Sequence, residues 1–288
     1  MIREPQTHMG KASRRKSENR ELKRTNPAQF AQSHGKAGLP GGIDPASSDP
    51  AVPVALAREL AALFDAAKRT GNIDPPVRLL HTAINTTLRG LSDIAIACKK
   101  GCSHCCHTWV SVSAPEALYV AKIVQSRGDV AIEKVRSAQA STKEYDFETR
   151  AEHPHPCPLL DDDVCSIYDS RPKVCRLAAS ADAEICARTY HNITNENVPT
   201  PMMHLVGRSA YAMVMAVGLR HAGLSHAAYE FNGALARALE TDQAEQRWLA
   251  GKDIFADVHR DPEDVFSNPQ TQLLYRYAFP GTPRDLGF

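Results

Sequence analysis

From Ala51 onward the chain repeats apolar residues at helical spacing. In AVPVALARELAALFDAAKRTGN, Val54, Leu56, Leu60, Leu63 and Phe64 form one broad stripe, and Gly71 supplies a C-terminal stop. A second helix is predicted from Asp74-Pro75-Pro76, where an N-cap is followed by prolines suited to the first turn. It carries Leu79, Leu80, Ile84, Leu88, Leu91 and Ile94 toward Cys98. Ser113 and Glu116 have capping-box spacing with Pro115 in the first turn, so a third helix starts there and ends at Gly128. Asp129 then caps a fourth, running to about Thr149.

Between His153 and Arg176 the helical period disappears into a stretch rich in Pro and Asp. Short extended pieces around Pro158–Leu160 and Val164–Tyr168, joined by Asp161–Asp163, predict a small hairpin. After about Asp182 helical patterns resume, in HLVGRSAYAMVMAVGLRHAG, in SHAAYEFNGALARALE and around Trp248. The C-terminal stretch predicts a short helix and an extended tail. The expected fold is mainly α: a helical domain over 51–288 with an inserted cysteine-rich loop and short-hairpin region at about 95–190.

Residues 1–50 differ in kind, with almost no apolar periodicity and a linker-like GLPGGIDPASSDP at 38–50. They are expected to form a disordered basic arm and linker. Residues 1–24 hold eight basic and three acidic residues, the only place where nucleic-acid binding is expected. The whole chain of 288 residues balances 34 Lys and Arg against 33 Asp and Glu, which gives no general case for it. The longest uncharged apolar run, Ser209–Leu219, is far short of the roughly 20 residues that span a bilayer. The basic N-terminus has no apolar stretch after it, unlike a secretory signal. A soluble cytoplasmic protein without a membrane segment is expected.

Eight cysteines give the chain its chemistry. All lie between Cys98 and Cys186, four of them within Cys98–Cys106, and scattered core thiols would not cluster so. A disulfide framework belongs to small secreted chains, so metal is the better reading. Cys98-x3-Cys102-x2-Cys105-Cys106 has the spacing of a loop wrapped around a metal centre, as in iron–sulfur proteins. Thiolates suit four-coordinate zinc equally. Lys99 and Lys100 beside the run favour thiolate over thiol. Side chains of the adjacent Cys105 and Cys106 diverge, so one of them faces a second metal, bridges two, or is no ligand. Eight thiolates match two four-ligand centres or one larger cluster. Cys157, Cys165, Cys175 and Cys186 are spaced too widely to wrap an ion alone, so the two groups are expected to converge.

The setting of these cysteines resembles the YkgJ-like cysteine-cluster family of zinc- or iron-chelating domains. That pattern is C-x3-C-x2-C-C, then C-P-L, then C-x-I-Y-x-x-R-P-x-x-C-R. It is matched by Cys98, Cys102, Cys105 and Cys106, by Cys157-Pro158-Leu159, by Cys165-Ser166-Ile167-Tyr168, by Arg171-Pro172 and by Cys175-Arg176. Cys186 fits the family's later cysteine less strictly. The resemblance covers about residues 95–190 and implies a metal-binding cytoplasmic protein.

Other residues take plainer readings. His104, His107, His153 and His155 flank the cysteines, but eight thiols suffice without them. Asp161–Asp163 read as a solvated turn, and Met202, Met203, Met213 and Met215 as core packing. Tyr168 is expected to plug the loop from beneath. Arg171 and Arg176 are expected to hydrogen-bond loop carbonyls and sulfurs around the cofactor.

Three functions compete. The first is an iron–sulfur protein, with a [4Fe–4S] cluster, serving redox or cofactor-linked chemistry. The second is a zinc-stapled interaction module without catalysis. The third is a modifying enzyme: Cys98-x3-Cys102-x2-Cys105 resembles the radical S-adenosylmethionine enzymes, whose βα barrel this chain lacks. No Ser/His/Asp order, P-loop or dinucleotide glycine pattern supports another enzyme class. The partner would be a protein or small molecule.

Overall fold

The computed structural model describes residues 41–192 and 194–282. Eleven helices and four very short strands are found among these residues, so the fold is mainly α. The basic arm at 1–24 lies outside them.

Helix α1 (Ala51–Thr70) and helix α2 (Asp74–Gly90) are the two predicted helices, separated by Gly71 in the left-handed region at φ 67°. Leu56, Leu60 and Phe64 of α1 and Leu80 and Ile84 of α2 are fully buried. Helix α2 stops earlier than its apolar pattern suggests, because Gly90 is a poor helix former and the chain turns there. Leu91 and Ile94 are left half-buried beyond its end.

Strand β1 (Ser111–Ser113) leads into helix α3 (Ala114–Gln125), and Gly128 separates α3 from helix α4 (Asp129–Thr142). Helix α4 ends short of Thr149, because Asp146 starts a new helix, α5 (Phe147–Glu152). Asp146 and Thr149 exchange side-chain and backbone hydrogen bonds as a capping box, which outcompetes continuation of α4. The predicted hairpin is present as strands β2 (Leu160–Asp161) and β3 (Val164–Cys165), followed by the short helix α6 (Lys173–Arg176) and helix α7 (Ala183–Tyr190).

Helix α8 (Met202–His221) explains the apolar run. It is long and apolar enough to cross a bilayer by length and composition, but half of its apolar window is buried inside the protein. Its closest neighbour is α1. Gly218 allows that approach, since a Cβ there would stand 2.9 Å from Leu60 Cβ. The stretch expected as one helix after Ser225 divides instead into strand β4 (Ala228–Glu230) and helix α9 (Phe231–Glu240). Strand β4 pairs antiparallel with β1, Val112 opposite Tyr229, and both residues are fully buried. Helix α10 (Ala244–Leu249) carries buried Trp248, and helix α11 (Pro269–Ala278) closes the described chain.

The linker expectation fails for its last residues. Ile43 is only 5% exposed, its N–H donates to the Tyr211 hydroxyl at 3.1 Å, and its carbonyl accepts from Thr87 Oγ1 at 2.5 Å. An apolar side chain with both backbone groups satisfied in this way belongs to the core. Gly42 lies so close that a Cβ would meet the Thr87 backbone nitrogen at 2.5 Å.

Candidate metal centre

The first cysteine loop is anchored at its start by a pair of hydrogen bonds with Ser180. Ala97 N–H donates to Ser180 O at 2.7 Å, and Ser180 N–H donates to the Cys98 sulfur at 3.2 Å. The loop turns through Gly101, whose φ of 89° suits glycine, with Cys102 N–H on Lys99 O at 3.0 Å. A single 3-10 turn, His104–His107, then presents Cys105 and Cys106.

The second segment is laid directly on this turn. Cys157 N–H donates to Cys106 O at 2.8 Å and His155 N–H to His107 O at 2.9 Å. Arg150 locks the joint: it is 1% exposed and donates to the carbonyls of His107, His153 and His155 at 2.7–2.9 Å. Nothing in the sequence marks this arginine, which looks like any other charged residue in a polar helix. Asp162 and Asp163 have φ of 48° and 61°, the left-handed pair of a tight hairpin turn. Asp163 also accepts from Ser103 Oγ at 2.9 Å, tying the hairpin back to the first loop.

Cys175 is placed by α6, and α6 is placed by Glu116. This carboxylate serves the predicted capping box with Ser113, and it also accepts from Lys173 N at 2.6 Å and Lys173 Nζ at 2.9 Å. Burial would push Glu116 up, but Lys173 and these hydrogen bonds override it and hold the carboxyl at about 2. Cys186 sits on α7, which Asp182 caps by accepting from the N–H groups of Glu184 and Ile185.

All eight cysteines are free thiols, seven half-buried and Cys186 buried. Burial raises Cys98, and repulsion from Cys102, Cys105 and Cys186 raises it further. Burial pushes Cys157 and Cys175 to about 12, with Cys175 and Cys165 adding to Cys157, and Cys105 adding to Cys175. Cys105 is raised by its hydrogen bond with Cys106 and then by burial. The charge of Cys105 thus acts on Cys98 in the first loop and on Cys175 in the second segment, which the Cys157–Cys106 hydrogen bond lays on that loop. The groups converge, as their spacing predicted.

Such crowding disfavours bare thiolates, and a bound cation reverses that balance. In its donor chemistry the set fits zinc or iron. Among the described residues no three His, Cys, Asp or Glu side chains form a ready-made ion site, so the fit rests on that chemistry and not on preset ligand spacing.

A cleft of about 60 Å3 opens beside the first group, lined by Cys98, Cys102, Cys105 and Cys186. Tyr190, His204 and Arg208 line it too. Burial, with Cys105 and Cys186 close by, pushes the Tyr190 phenol up to about 12. Nothing in the sequence marks these three residues, because helical spacing alone does not say which neighbour a helix faces.

The remaining candidates are placed as follows. Tyr168 is 36% exposed and does not plug the loop from beneath; it stacks on Arg171, whose guanidinium carbon lies 3.6 Å from the ring centroid. Arg171 donates to Tyr168 O at 3.0 Å, and its charge reaches Cys105, Cys165 and Cys175. Arg176 donates to the carbonyls of Arg171 and Asp169 and to Asn85, but no hydrogen bond from either arginine to a sulfur occurs among the described residues. Arginine was expected to reach the sulfurs, but the short α6 turns Arg176 toward α2. His104 Nδ1 lies 3.4 Å from His191 Nε2, and His153 stacks on Tyr145. Met215 is a core residue, whereas Met202 is 64% exposed.

Residues 97–197 match the CxxCxxCC family model. That family is described as a proposed zinc- or iron-chelating domain, and the match supports metal binding by this region. Neither a curated protein nor a solved structure matches the chain. The CxxCxxCC region includes every cysteine and Tyr190, and it ends before α8, so His204 and Arg208 come from outside it.

Proposed function

We propose that the protein is a cytoplasmic iron–sulfur protein that uses its cysteines to hold a [4Fe–4S] cluster for redox or cofactor-linked chemistry. The observation that carries this reading is the cleft beside Cys98, Cys102, Cys105 and Cys186. At about 60 Å3 it exceeds the roughly 10–15 Å3 that one water requires, and a closed four-thiolate zinc site needs no such space. Cys98-x3-Cys102-x2-Cys105 is also a spacing suited to cluster ligands. A bound cluster would supply one-electron chemistry, with Arg171 offsetting thiolate charge and Arg150 fixing the loop. The partner would be a small molecule or protein that reaches the cleft. A radical S-adenosylmethionine-type reaction gains no support from a mainly α fold whose described strand pairs are antiparallel.

The test is the visible spectrum of anaerobically purified protein. Broad charge-transfer absorption that bleaches with dithionite is expected. A colourless protein that retains zinc would favour the staple reading.

A further inference from the structure

His204 enters the thiol cleft from a part of the chain that no cysteine motif covers. Its position follows from a hydrogen-bonded path through the backbone. Ala97 pairs with Ser180, Ala181 N–H donates to Pro199 O at 2.9 Å, and His204 N–H donates to Pro201 O at 2.9 Å. The first turn of α8 is thereby fixed beside Cys98. His204 and Arg208 are one helical turn apart and both line the cleft, as Cys186 and Tyr190 do from α7.

The imidazole is 3% exposed, and its Nδ1 has no hydrogen-bond partner. Buried polar side chains are nearly always paired, so an orphan nitrogen at a wall shared with four thiols needs an explanation. Among the described residues it is the one buried, unpartnered side-chain atom belonging to a residue that lines the cleft. His104, the other imidazole there, already faces His191 at 3.4 Å. Neutral imidazole is a common ligand for both zinc and iron.

We propose that His204 is the fourth donor to the metal centre in this cleft, alongside Cys98, Cys102 and Cys105. Three thiolates and one imidazole are a complete four-donor set. Cys106, which does not line the cleft, is then left to the group of Cys157, Cys165 and Cys175, which separates the adjacent pair between two centres. The inference rests on the metal-centre reading above, and it adds a ligand that lies outside the CxxCxxCC region. Histidine in place of cysteine raises the potential of a cluster.

The test uses the full chain, isotopically labelled with nitrogen-15 in histidine, purified anaerobically and reduced with dithionite for pulsed electron paramagnetic resonance. A strong histidine nitrogen coupling is expected in the wild type and in His104→Gln, and its loss is expected in His204→Gln. His204→Cys should keep the cluster, lose the coupling and shift the midpoint potential downward, which covers the case of a Gln variant that fails to fold. A wild-type cluster without histidine coupling, or a coupling that survives in His204→Cys, would overturn the assignment. If the protein holds only zinc, the iron–sulfur reading fails, and the zinc K-edge of the same samples decides His204 separately. A nitrogen shell at about 2.0–2.1 Å that disappears in His204→Cys supports it, and a sulfur-only shell refutes it.

Discussion

The backbone N–H of Cys157 donates to the carbonyl of Cys106 at 2.8 Å. One hydrogen bond thus joins two cysteine groups that lie far apart in the chain. Cys102→Ser and Cys175→Ser should therefore each lower metal content and destabilise the protein, because a hydroxyl is a poor substitute for a ligating thiolate. Metal analysis after gel filtration checks this, and unchanged stoichiometry in either variant would remove that residue from the ligand set.

Arg150→Met should destabilise the chain by about 2–5 kcal/mol, since the carbonyls of His107, His153 and His155 lose its three hydrogen bonds together, with His107 O keeping the His155 N–H. The same variant should release metal faster to a chelator, because His107 and His155 O lie on opposite sides of the joint. Urea unfolding and chelator kinetics test the two halves. Stability loss with an unchanged release rate would mean that the joint does not govern the centre.

Acid stability should report on Glu116. Its carboxyl titrates at about 2 in the fold against 4.5 ordinarily, so its contribution is full above about 4.5 and is lost as pH falls through about 2. Two and a half units correspond to about 3 kcal/mol. Lys173→Met removes the overriding partner and leaves burial, which raises the carboxyl. Loss of stability should then begin at a higher pH than in the wild type. Chemical denaturation from pH 7 to pH 3 measures it, and superimposable pH profiles would refute the ion pair's role.

The tie between Ile43 and Tyr211 separates two truncations. A chain beginning at Gly41 should keep wild-type stability, whereas one beginning at Ala51 should lose about 2 kcal/mol through Ile43 burial. It also leaves the hydroxyls of Tyr211 and Thr87 short of partners. Thermal unfolding of the two chains, with metal content measured alongside, distinguishes them. Equal melting temperatures would show that Ile43 adds nothing.

Much of this fold is legible in the sequence where local chemistry decides. The Ser113–Glu116 capping box, the stops at Gly71 and Gly128 and the hairpin at Asp162–Asp163 are all short-range effects. Where partners are distant, the sequence is silent. Tyr229 pairs with Val112 across the chain, so its strand is hidden inside a helical pattern. Ile43 looks like part of a linker until Tyr211 and Thr87 reach it. The cysteines are legible as donors because of their type and clustering. Arg150 and His204 are ordinary letters in helical stretches, and they gain meaning only from the carbonyls and thiols that folding brings beside them.

Whether the cysteines hold an iron–sulfur cluster is decided by the metal itself. Anaerobic purification of the full chain, with iron, acid-labile sulfide and zinc quantified per chain, tests it most directly. About four iron and four sulfide are expected for each [4Fe–4S] centre, with little zinc. Zinc near two per chain with no sulfide would contradict it.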